Sequence, residues 1–188
     1  MTLARSQKPA TYQDVIDAPP HMVAEILGGE LHLSPRPASR HARASMRMGR
    51  DLGPFDEDPG GDDPGGWLLL FEPELHLGPD VVVPDLAGWR RERMPEMPDT
   101  PAFTLAPDWV CEVASPSTRR ADRLLKLPIY RAAGVAWVWI VDPITEVVDV
   151  FQGDGPRWIA AATAVGAGVV RLPPFDALEL DPGRWFAR

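Results

Sequence analysis

The order of apolar and polar residues predicts a series of short strands interrupted by three helices. Val23 to Leu27 and Glu30 to Leu33 flank Gly28-Gly29, a pair that supplies the positive φ angles of a tight hairpin turn. Trp67 to Phe71, Glu74 to Leu77 and Leu86 to Trp89 read as strands of one antiparallel meander. Trp109 to Val113, apolar apart from Glu112, and the wholly apolar Trp137 to Val141 are too short for helices and suited to buried strands. Glu146 to Phe151 alternates and is expected at a sheet edge, with Trp158 to Ala162 as a further strand.

The helical segments carry their own signals. Thr11 to Asp17 opens on a capping residue and stops before Pro19-Pro20, giving a short helix expected to pack as a lid. Ser39 to Leu52 places His41, Ser45, Met48 and Leu52 on one face, with Arg40, Arg43, Arg47 and Arg50 on another. A third helix is expected from Ser117 or Thr118, kinked or restarted at Pro128, which lacks a backbone donor. Asp56 to Gly66, rich in glycine, proline and acid, reads as a mobile loop. The tail from Val169 to Arg188 reads as an irregular segment docked through Phe175 and Trp185. The order is that of an α/β protein with a mixed β-sheet, flanking helices and an N-terminal β-hairpin.

Composition narrows the function classes. The 188 residues suffice for one core and are taken as a single domain, residues 1–188, of ordinary globular composition at 45% hydrophobic and 24% charged. A net charge of −8 opposes non-specific binding to nucleic acid, so any such contact needs a local basic patch, which the arginine stripe offers. The same stripe is equally a solvated helix face. One cysteine, Cys111, lies inside an apolar strand and supports no internal disulfide. No apolar stretch approaches a membrane span, and a cytoplasmic setting is expected.

Glu112 is the residue that asks for an explanation, because an ionised acid in an apolar strand needs a cation, a proton or a cleft. Asp85, after Pro84, is a second acid at a strand boundary, and Lys126 lies on the third helix, four residues after Asp122. If Asp85 and Glu112 converge from neighbouring strands they suit Mg²⁺ or Mn²⁺, hard cations that take oxygen ligands and activate water for phosphodiester hydrolysis. Lys126 then adds a point charge near the scissile phosphate. Other readings use the same residues. Asp85 is also an ordinary turn residue, Glu112 a partner for an arginine, Asp122 with Lys126 a surface ion pair, and His41 a satisfied buried histidine. Serine hydrolase, zincin, P-loop and zinc-ribbon motifs are missing from the sequence.

The run Glu112-Val-Ala-Ser-Pro-Ser-Thr118, with Asp122, Lys126, Tyr130, Gly134-Val135 and Trp139-Ile-Val-Asp-Pro143, resembles the Uma2 family, also called the DUF820 restriction endonucleases. Ala24 to Leu31 is similar to its N-terminal hairpin motif, His41 to its helix histidine and Pro84-Asp85 to its Pro-Asp pair. The resemblance implies a restriction-endonuclease-like core of the PD-(D/E)XK type and a Mg²⁺-dependent endonuclease acting on nucleic acid, with DNA the expected substrate. It implies metal carboxylates at Asp85 and Glu112, with Glu25, His41 and Asp122 as accessory candidates. A homodimer is expected. One departure stands out: Ala114 occupies the place of the lysine two residues after the glutamate, and Lys126 is the candidate replacement. That departure keeps open a non-catalytic module, binding nucleic acid or protein on the same scaffold.

Overall fold

The computed structural model describes residues 8–57, 62–115 and 122–187, with only the backbone of Asp122. Helix α1 (Tyr12–Ile16) precedes the hairpin of β1 (Met22–Leu27) and β2 (Glu30–Pro35). Gly28 and Gly29 close that hairpin at φ 62° and 83°, values that side-chain-bearing residues rarely adopt. Helix α2 (Ser39–Leu52) follows and runs into a short 3-10 turn, Gly53–Phe55. Next come β3 (Trp67–Phe71), β4 (Leu75–Leu77), β5 (Asp80–Val82), β6 (Leu86–Arg90) and β7 (Trp109–Val113). A π-helical turn, Asp122–Lys126, leads into α3 (Leu127–Ala132), then β8 (Trp137–Asp142), β9 (Val147–Asp154), β10 (Arg157–Val165) and α4 (Gly183–Phe186). The expected helix start at Ser117 or Thr118 lies outside the described residues, as do positions 58–61 of the acidic loop. Pro128 sits in the first turn of α3, where its missing donor costs nothing, so the helix restarts there.

The strands form two sheets. One is six-stranded in the order β10-β9-β8-β7-β6-β3, and the other four-stranded in the order β2-β1-β5-β4. Only β7 and β8 run parallel in the larger sheet, which is therefore mixed, as expected. The expected meander is divided: β3 pairs directly with β6, while β4 pairs with β5 in the other sheet. The chain changes sheets at Glu72-Pro73, where Glu72 takes a left-handed φ of 44°. The segment expected at an edge, β9, is interior, and β10 is the edge.

Alternation along β7 sends its side chains into two different cores. Trp109, Cys111 and Val113 face Met48 and Leu52 of α2 together with Phe175 and Trp185 of the tail. Val110 faces Leu27, Val82 and Tyr130, from the smaller sheet and α3. Phe175 and Trp185 are fully buried, so the tail is docked through the anchors its sequence suggests. Trp67, Trp89, Trp109 and Trp139 are fully buried too, and serve as packing rather than as exposed stacking platforms. Helix α1 does not act as a lid. Tyr12 donates to Glu74 at 2.7 Å and meets the His76 ring edge-on, which fixes the helix beside β4. No helix among the described residues is long and apolar enough to cross a membrane.

Candidate active site

Asp85 stands one residue before β6, and Glu112 lies on the neighbouring β7. The antiparallel register of β6 and β7 pairs Leu86 with Cys111, so one step further sets Asp85 across from Glu112. Both side chains line a cleft of about 180 Å³, with Glu25 from β1 and Lys126 from the end of the π turn. Residues from both sheets and the helix that follows β7 thus meet at one place.

Two groups of contacts organise the acids. Lys126 Nζ lies 2.8 Å from Glu25 Oε1 and 3.3 Å from Glu112 Oε2. The buried hydroxyl of Tyr130 donates to Glu112 Oε1 at 2.5 Å, and the Val83 amide donates to Glu25 Oε1 at 2.8 Å. Asp85 is held separately: His41 Nε2 meets its Oδ1 at 2.5 Å, and the Val113 amide donates to its Oδ2 at 2.6 Å. His41 Nδ1 is buried with no hydrogen-bond partner among the described residues. Asp85, Glu112 and Glu25 therefore share this site with the Lys126 ammonium and the His41 ring. Burying carboxylates is costly unless donors and cations surround them, as they do here.

Ala114 is buried, and Lys126 brings an ammonium to Glu112 from the helix side instead. The Asp122 side chain is outside the described residues. Its assignment to the Lys126 face assumed α-helical spacing, whereas a π turn aligns residues five apart. The hydrogen bond from Tyr130 to Glu112 carries no local sequence signal. Arg36, between Pro35 and Pro37 at the cleft mouth, also went unnoticed; it faces Glu72 at 3.4 Å. The arginine stripe lies away from the cleft. Arg47 Nη1 donates to the carbonyls of Arg184 and Ala187 at 2.5 and 2.7 Å, Arg43 reaches Ala187 at 3.4 Å, and Arg50 pairs with Asp51. Arg40 is exposed and makes no side-chain hydrogen bond or ion pair among the described residues.

Cys111 is on the opposite face of β7 from Glu112, in contact with Met48. Burial, reinforced by the charges of Asp85 and Glu112, pushes its thiol well above the ordinary value of 9.0, so it stays protonated and inert. Among the described residues no group of three or more His, Cys, Asp or Glu side chains is arranged to enclose a metal ion.

These features belong to a nuclease-like fold. A family model described as "Uma2: Putative restriction endonuclease" matches residues 9–183, and the chain belongs to the Uma2 family. A solved structure described as a "putative nuclease belonging to DUF820", from Anabaena variabilis, superposes with a TM-score of 0.73. It covers 95% of this chain and 98% of its own at 20% identity, a likeness of fold. No curated protein matches the chain.

Proposed function

We propose that this protein is a metal-dependent endonuclease that hydrolyses phosphodiester bonds of nucleic acid, with DNA as the substrate. The observation that carries the reading is the convergence of Asp85, Glu112, Glu25 and Lys126 on one cleft from four separate segments. The donor chemistry fits Mg²⁺ or Mn²⁺. All the acids offer oxygen, and Mg²⁺ commonly takes one or two protein carboxylates and fills its remaining positions with water and phosphate. Each Asp85 oxygen accepts one hydrogen bond and retains a second lone pair.

Asp85 and Glu112 would hold the ion, which when bound supplies Lewis acidity and an acidified water. Tyr130 and Val113 fix the two carboxylates through hydrogen bonds, so the donor oxygens need no reorganisation. Lys126 balances Glu25 and Glu112 and presents its ammonium where negative charge grows on the phosphoryl group. Arg36 at the mouth supplies a cation for the neighbouring phosphate. Glu25 keeps Lys126 in place; His41 does the same for Asp85. A homodimer in the cytoplasm completes the reading, and sedimentation tests the dimer.

Calorimetric titration of Mn²⁺ tests the site itself. Wild type should bind, and Glu112→Gln should weaken binding by more than about tenfold. Equal binding by the two proteins would remove Glu112 from the metal site.

A further inference from the structure

Beside the cleft runs a second groove of about 370 Å³ that shares His41 and Asp85 with it. Its apolar lining is formed by Pro37, Ala42, Met46 and Phe71. Met46 is 64% exposed and Phe71 53% exposed, unusual values for large apolar side chains beside a polar centre. The Phe71 ring is seated by Gly49 of α2. A Cβ there would stand 2.3 Å from the ring's Cζ and 2.8 Å from Cε2, so the absence of a side chain admits the tip of the ring. Polar groups lie along the floor and rim, where the Ser45 hydroxyl is bonded to the His41 carbonyl and Glu72 offers a carboxylate.

We infer that this groove is a base-binding subsite, in which Phe71 and Met46 pack against the nucleobase next to the phosphate held in the cleft. The inference rests on the nuclease reading of the cleft and names its substrate more closely. Continuity with the cleft decides the occupant: a group in the groove while a phosphate lies near Asp85 must be a short covalent step from that phosphate. A nucleobase has the required apolar faces and a polar edge. Glu72 keeps acceptor capacity beyond its 3.4 Å pairing with Arg36, which favours bases that carry an amino group. A base stacked inside a duplex offers its face to no side chain, so the strand bound here is single or locally splayed.

The test uses a short single-stranded DNA carrying 2-aminopurine, titrated with the full chain in the absence of metal so that nothing is cut. Wild type should quench the probe as the base packs on Phe71. Phe71→Ala should abolish the quenching and weaken binding by about tenfold. Phe71→Leu keeps the apolar bulk over Gly49 and separates stacking from folding; it should also lose the quenching. The same sequence as a duplex should show none. Wild-type binding with unchanged quenching in both variants overturns the subsite and leaves the nuclease reading standing. Altered sedimentation without altered DNA binding would make the groove a contact between copies of this chain, overturning it equally. Failure of wild type to bind either form overturns the subsite together with the nuclease reading.

Discussion

Lys126 Nζ stands 2.8 Å from Glu25 Oε1, joining the turn before α3 to the N-terminal hairpin at a point where both side chains are only 6% exposed. Breaking a buried ion pair from one side leaves an uncompensated charge, a loss of about 3–5 kcal/mol. Lys126→Met should lower stability by that order in urea unfolding, and adding Glu25→Gln should restore part of it. A Lys126→Met protein as stable as wild type would mean that the ammonium does not balance the two glutamates.

Tyr130 bears on the same acid from α3. Its fully buried hydroxyl donates to Glu112 Oε1, and a hydrogen bond to a charged group contributes about 1.5–3 kcal/mol. Tyr130→Phe should lose stability in that range, measured by chemical denaturation, and should weaken Mn²⁺ binding because Glu112 is no longer oriented. Unchanged stability and metal affinity would reduce Tyr130 to packing.

Much of the fold was legible because side-chain periodicity is a local property. The Gly28-Gly29 turn, the buried face of α2 and the two apolar strands β7 and β8 all follow from it. Strand pairing is not local. Phe71 and Leu86 pair across the segment that contains β4 and β5, and the left-handed Glu72 takes the chain into a second sheet. The alternation of β9 was misleading for a related reason. It reports one face that is buried and another where Asp149 meets Arg123 and Thr163, and a half-exposed face does not require an edge. In the site, Glu112 was visible as an acid in an apolar strand. Glu25 has the same signature between Ala24 and Ile26, but its partner Lys126 is remote in sequence.

The arginine stripe divides into two roles. Arg47 closes the end of α4 by donating to the Arg184 and Ala187 carbonyls, whereas Arg40 projects into solvent. Arg47→Ala should lower the unfolding midpoint, with a loss of about 1–3 kcal/mol. Arg40→Ala should leave stability unchanged and reduce the salt dependence of DNA binding. The opposite pattern would exchange these roles.

Acid should loosen α1 before the core. The Asp14 carboxyl is held below its ordinary value of 3.8, first by the Thr11 amide and then by the Thr11 hydroxyl. A depressed carboxylate pKa contributes stability that is complete above the unfolded value and lost as pH falls through the folded one. Amide exchange in α1 should therefore accelerate as pH drops below 3.8, after correction for intrinsic rates, while the β7 amides stay protected. The acceleration should be absent from Asp14→Asn, and its persistence there would place the acid-sensitive group elsewhere.

Supercoiled plasmid nicking is the test of phosphodiester cleavage at Asp85 and Glu112. Wild type should nick with Mg²⁺ or Mn²⁺ and stop when the metal is chelated, and Asp85→Asn, folded by circular dichroism, should not nick above background. No cleavage by wild type with either metal, or equal cleavage by Asp85→Asn, would contradict the account.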